Sequence, residues 1–316
     1  LAPASLFASG GQPRPLVLLI VGAPGEDQFQ SVFAKSEKNW RDAALKGNAE
    51  VVTIGLDPIP NPESDEDRKK VEAFMPRLQA TNAAPAWIVL IGHGTDDGKA
   101  AKFNLRGPDF SSAELAAWLK PAQRPLIIVN TASSSGGFIK ALSGPGRVVI
   151  TATRSGNEIN FTHFGAFMAE AIGSLEADLD KDKQTSLLEA FLMASRKTLD
   201  FYKEEGRLAT EHSLIDDNGD GLGTPADWFQ GVRAVKKPEK GASVDGRRAH
   251  QIHLISNAED LKLSPAEVAR RDELELAIST LRDKKANMPK DAYYSELESL
   301  LVEMARLYEA SEHRQP

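Results

Sequence analysis

Residues 124–158 read RPLIIVNTASSSGGFIKALSGPGRVVITATRSGNE. Two short apolar runs, 125–129 and 147–152, bracket a Ser/Gly turn. Runs of that length bounded by turn residues predict buried strands of a parallel sheet. Residues 131–137 then stand at the carboxyl end of a strand, where open α/β sheets place their ligands and reactive groups. Upstream, WIVLIGHG (87–94) repeats the plan: an apolar run, then His93 held between two glycines.

Outward from this centre the rhythm continues. PLVLLIVG (15–22) predicts the first buried strand, and Gly22-Ala23-Pro24-Gly25 turns it into a helix over 26–46. That turn has neither the Gly-x-Gly-x-x-Gly spacing nor a following Gly-Lys-Ser/Thr, so it reads as a tight turn and not as a phosphate cradle. A strand follows at 51–56, a surface loop at 57–67, a helix at 68–80 and another at 111–120, with Ser111 or Ser112 as N-cap and Glu114 close by. At least five strands alternate with helices, which predicts an α/β sandwich with a mainly parallel sheet covered on both faces. Beyond Glu158 the pattern is helical over 161–172 and 186–205. Residues 206–248 read as loop with a short helix near 226–230, and HQIHLI (250–255) reads as one more alternating strand. From Ser264 the apolar spacing of three and four residues, interrupted at Met288-Pro289, predicts a helical hairpin over 264–312. Its role is to pack on the main domain, pair with a second copy or meet a partner. The domain reading is therefore a loose arm (1–14), a main domain (15–256) and the hairpin.

Composition narrows the function classes. The 316 residues suffice for one large α/β domain with an appendage. A net charge of −7 argues against a nucleic-acid or anionic-membrane binder, and no run reaches the length of a membrane span. Cysteine is absent, which removes disulfides, thiolate metal sites and a thiol nucleophile. The small-x-small form of Ala2-Pro3-Ala4 after Leu1 is compatible with export and removal of a signal peptide.

An apolar strand ending in His-Gly, followed by one ending in Ala-Cys-x-Ser-Gly, is the block pattern of the caspase-like cysteine peptidases. This chain resembles them, and the legumain branch most. His93-Gly94 matches the first block, and Ala132-Ser133-Ser134-Ser135-Gly136-Gly137-Phe138 matches the second with one departure: Ser133 stands at the place of the nucleophilic cysteine. FNLRGPDFSSAELAAWL (103–119) is similar to the family's short strand, Gly-Pro turn and helix. The resemblance spans roughly residues 15 to 205. It implies a caspase-like sandwich, a catalytic pair His93 and Ser133, and a substrate wall that includes Arg154, with Glu158 as a further cleft residue; an arginine there would prefer an acidic side chain.

Read as chemistry, His93 is a candidate general base, and Gly94 would let a substrate backbone approach. Gly136 and Gly137 could line an oxyanion site, with Ser134 and Ser135 in the same cleft. A serine hydroxyl ionises far less readily than a thiol and depends on a well-placed base and an orienting acid. Nothing in the sequence names that acid. The expectation is therefore a peptidase-like protein, weak or inactive in catalysis, that binds a peptide or protein in its cleft. The alternative is a working serine hydrolase built on His93 and Ser133.

Two acidic segments point to calcium (Ca2+). Asp178, Asp180, Asp182, Gln184, Ser186 and Glu189 follow the oxygen spacing of a twelve-residue EF-hand loop between helices, but Lys183 stands where glycine is usual and would need a positive φ. Asp216, Asn218, Asp220, Thr224 and Asp227 repeat the spacing with Gly221 at the turn, closing on the shorter Asp227. A calcium-responsive scaffold is thus a third reading.

Overall fold

The computed structural model describes residues 14–58, 61, 64–81, 84–236 and 244–312. The arm expected over 1–14 lies, apart from residue 14, outside the described residues. Residues 15–255 form one compact unit, and the chain from Ser256 onward belongs to a second.

The strands of the first unit are β1 (Leu16–Val21), β2 (Glu50–Ile54), β3 (Ala86–Ile91), β4 (Gly94–Asp96), β5 (Ala101–Phe103), β6 (Phe110–Ser111), β7 (Leu126–Asn130), β8 (Arg147–Thr151), β9 (Leu214–Asp216) and β10 (Thr224–Pro225). Seven make one sheet in the order β10-β9-β8-β7-β3-β1-β2. The five from β2 to β8 run parallel; β9 and β10 return antiparallel at one edge. Buried on both faces, the central strands need apolar residues at every position, which is why they read as unbroken runs and not as alternation.

The helices are α1 (Asp27–Lys46), α2 (Glu66–Phe74), α3 (Ser112–Leu119), α4 (Gly137–Leu142), α5 (Phe164–Ala171), α6 (Leu187–Glu204) and α7 (Arg247–His250). The pleat sends alternate strand residues to opposite layers. Val17, Leu19, Val89, Val129 and Ile150 pack with Phe33 and Trp40 of α1, Phe164 and Met168 of α5 and Phe191 of α6. Leu18, Ile20, Ile88, Leu90 and Ile128 pack with Val71 of α2, Leu115 and Leu119 of α3, and Phe138 of α4. The result is a three-layer α/β sandwich with a mainly parallel sheet.

Two readings of the sequence need correction. Residues 250–255 are not a strand: α7 ends at His250, and His253 makes an isolated bridge to Ser186. The segment's backbone is used elsewhere, since Ile252 O accepts from Leu187 N at the start of α6 (2.8 Å). Residues 206–248 are not merely loop, because β9 and β10 extend the sheet from within them and a small ribbon pairs Phe229–Gln230 with Arg233–Ala234. The short helix near 226–230 is a 3-10 turn, Ala226–Trp228.

In the second unit, α8 (Pro265–Lys284) and α9 (Lys290–Glu312) form the hairpin. Leu274, Ile278 and Leu281 of α8 and Tyr293 of α9 are buried and Leu297 and Met304 of α9 are half-buried, whereas Leu301 of α9 is exposed.

Candidate functional site at the carboxyl end of the sheet

Parallel registry brings the two polar segments side by side. Leu90 lies opposite Asn130, and Thr131 N–H extends the ladder to Leu90 O (3.0 Å), so His93-Gly94 and Ser133 leave the ends of adjacent strands. Gly22 and Gly92 are required by the chain that crosses these ends. A Cβ on Gly22 would lie 2.3 Å from Asn104 O, and one on Gly92 would lie 3.0 Å from the Phe103 ring.

His93 Nε2 is 3.1 Å from Pro24 O. A carbonyl only accepts, so Nε2 carries the hydrogen and Nδ1 keeps the lone pair when the ring is neutral. The ring also sits edge-on to Phe29 (4.8 Å between centroids) and Phe33 (5.2 Å). The orienting group absent from the sequence reading is thus a backbone oxygen in the loop after β1. No side-chain signal could have revealed it.

Ser133 is only 4% exposed. Its hydroxyl donates to Gly94 O (3.0 Å) and accepts from Gly94 N–H (3.2 Å). The hydroxyl is therefore clasped by the residue next to His93, and no bond joins it to the imidazole. Gly94 is needed for this approach: a Cβ there would be 2.5 Å from Ser133 O. The close backbone expected at Gly94 is the protein's own.

The rest of the turn is engaged internally. Ser134 has a φ of +52° and is fixed by its N–H to Glu158 O (2.9 Å) and its hydroxyl to Gly156 O (3.0 Å). Ser135 Oγ is 3.1 Å from Thr153 Oγ1, which also accepts from Gly136 N–H (3.0 Å). Gly136 is therefore not a ready oxyanion donor, and the donor aimed at Ser133 is Gly94 N–H. Gly137 begins α4, where a Cβ would press on Ala101 at 2.8 Å.

Arg154 is 61% exposed on its side chain and pairs with Glu158 (3.1 Å). The Glu158 carboxylate also accepts from Arg154 N–H (3.0 Å) and His212 N–H (3.1 Å), and it contacts His212 Nδ1 (2.6 Å). Glu158 is thus a buttress between β8 and the approach to β9, while Arg154 stands at the surface. Behind it, Glu211 caps α5 by accepting from His163 N–H (2.8 Å) and Phe164 N–H (3.1 Å). Burial pushes the Glu211 carboxyl up to about 7 despite those bonds. His163 is lowered, mainly by burial.

The acidic segments share one hydrogen-bonding scheme. In the first, the Asp178 carboxylate accepts from Lys181 N–H (2.6 Å) and Lys183 N–H (3.1 Å), and both lysines have positive φ (66° and 72°). In the second, Asp216 accepts from Gly219 N–H (2.9 Å) and Gly221 N–H (2.7 Å), with φ of 82° and 76°. Glu189 closes the first loop on Leu179 N–H (2.7 Å), Asp180 N–H (3.3 Å) and Ser186 (2.8 Å). The corresponding acid in the second is not Asp227, which is exposed and paired with Lys236. It is Asp245, which accepts from Asp217 N–H (2.9 Å), Asn218 N–H (3.2 Å) and Thr224 Oγ1 (2.6 Å). Burial and the neighbouring Asp217 and Asp216 raise Asp245. Carboxylate oxygens of Asp178, Asp180 and Asp182 lie within 4.8 Å of one another, as do ligand atoms of Asp180, Glu189 and His250. Gln184 N–H and its side-chain amide both bond Asp182 (3.0 Å). Asp245 was missed because it lies far along the chain from Asp216.

No protein-family model matches the chain, and no curated protein matches it. Among solved structures, it is similar to the Drosophila initiator caspase Dronc, at 14% identity over 65% of this chain and 80% of that one, with a TM-score of 0.44. It is also similar to caspase-1 from Spodoptera frugiperda, at 12% identity over 65% and 87%, with a TM-score of 0.43. At these identities and scores neither structure bears on what this chain's site does.

Proposed function

We propose that this chain is a peptidase-like protein of the caspase and legumain kind that holds a peptide or protein segment at the carboxyl end of its sheet and cuts it slowly or not at all. The observation that carries this reading is the pair of bonds between the Ser133 hydroxyl and the backbone of Gly94. A nucleophile needs its proton within reach of a base, and here the hydroxyl proton is directed at a carbonyl. His93 retains an oriented ring, with Nδ1 free of hydrogen, but its oxygen partner is turned away. The test is reaction with a serine-directed phosphonate followed by intact-mass measurement. The expected result is no adduct on the unaltered protein. Ser133→Cys, whose thiol ionises with less help, should gain peptide cleavage or alkylation. Rapid phosphonylation or peptide hydrolysis, abolished by Ser133→Ala, would establish instead a serine peptidase with a His93–Ser133 dyad.

A second reading, calcium responsiveness, is favoured by the common scheme of the two acidic loops. Asp178, Asp180, Asp182 and Glu189 of the first loop bring hard oxygens close together in the way calcium takes them, and Asp216, Asn218, Asp220 and Asp245 offer oxygens of the same kind in the second. A bound ion would neutralise carboxylates that otherwise crowd one another.

A further inference from the structure

We propose an anion-binding pocket at the opposite end of the sheet, suited to a small phosphomonoester. A depression of about 460 Å³ opens where β7 and β8 begin, lined by residues 120, 122–126 and 143–147. That volume is in the range of small-ligand sites. Lys120, Arg124 and Arg147 contribute cations, and the lining contains no Asp or Glu.

Among the described residues, none of the three makes an ion pair with a carboxylate. Arg124, 9% exposed, directs Nε and Nη2 to Ala84 O. Arg147 directs Nη1 to Leu142 O (3.1 Å) and Nη2 to Leu119 O (2.9 Å). Each guanidinium has five N–H donors, so each keeps three beyond these bonds. Arg147 closes the ends of α3 and α4, whose partial negative charge offsets part of its own. Lys120, exposed at the C-cap of α3, shares that compensation, whereas Arg124 stands at no helix end. Ser143, also in the lining, gives its hydroxyl to Asp216 (2.8 Å), whose carboxylate is held by the Gly219 and Gly221 N–H groups. Glu50, whose field reaches Arg124, pairs with Arg77 (2.7 Å).

A buried guanidinium without an anion is an unfavourable arrangement unless a ligand completes it. Planar guanidinium forks fit phosphate oxygens, and about two uncompensated positive charges match a dianion better than a single carboxylate. The backbone carbonyls preset the direction of both forks, so the site would be formed before the ligand arrives.

The test is calorimetric titration of the full chain with inorganic phosphate and with adenosine monophosphate, against sodium chloride at matched ionic strength. Both should bind and raise the melting temperature. Tighter binding of the nucleotide identifies a phosphomonoester, whereas equal affinity identifies the free anion as the natural occupant. Gln123→Glu with Lys120→Glu places negative charge in the lining without touching a structural bond, and it should weaken binding about tenfold or more. Absence of binding at millimolar phosphate and nucleotide, or equal affinity in a variant that melts like the unaltered protein, would overturn the proposal.

Discussion

Ser133 shows how one oxygen can serve the fold at a position where chemistry is expected. Its hydroxyl gives both backbone groups of Gly94 a partner in a place closed to water. Ser133→Ala should therefore lower unfolding free energy by about 1–3 kcal/mol in urea denaturation, since buried polar groups lose a partner. An unchanged or increased stability would point to a strained catalytic residue. Glu211 leads to a different test. Its folded-state carboxyl is raised to about 7, so between the ordinary carboxylate range and neutrality the folded protein holds a proton that the unfolded chain has released. Stability then falls as pH rises through that window, by up to about 3 kcal/mol for this group. Glu211→Gln should flatten the slope; Asp245, raised in the same direction, leaves a remainder. An identical pH profile of melting temperature in the variant would refute the assignment. His93 and Ser133 were legible because strand ends and glycines mark them. Pro24, which meets His93, was not, nor were Glu211 at the start of α5 and Asp245 at the second acidic loop, since the partners of all three lie far off in sequence.

At the level of elements, local chemistry was legible where a side chain and its target are three or four residues apart. Ser111 and Glu114 form the capping box that starts α3, as their spacing predicts, whereas Ser186 and Glu189, read from the sequence as calcium oxygens, turn out to form the box that starts α6. Ser111→Ala should cost about 1 kcal/mol, measured by thermal or chemical unfolding. Residues 250–255 misled because alternation alone cannot tell a strand from a backbone segment that closes a helix. The acidic loops join both lessons. If each binds calcium, the ion should raise the melting temperature by mass action, and Asp178→Ala with Glu189→Ala should remove part of that rise. Asp245→Asn should remove another part, whereas Asp227→Ala should leave it intact. No shift in millimolar calcium would end the reading, and sensitivity to Asp227 with indifference to Asp245 would reverse the closing residue.

For the molecule as a whole, alternation of strands and helices sufficed to read a layered α/β unit, but the antiparallel return of β9 and β10 was hidden in a Gly- and Asp-rich segment. The second unit rests on a buried charge cluster: Arg271 binds Asp260 and Asp272, and Tyr308 donates to Asp260 (3.2 Å). Burial and Asp260 raise the Tyr308 hydroxyl to about 12. Arg271→Met would strip the cation from Asp260 and destabilise that unit by about 3–5 kcal/mol. Limited proteolysis should then cut after Ser256 while residues 15–255 stay resistant; cleavage spread across both would contradict this. The His93–Pro24 bond spans 69 residues and the Ser133–Gly94 bonds span 39. Bonds of that reach form only after distant strands have paired, so the site is completed late on the folding route. Ser133→Ala and substitutions of His93 should accordingly steepen escape from the native state, raising the unfolding rate in a chevron while leaving the refolding limb nearly unmoved.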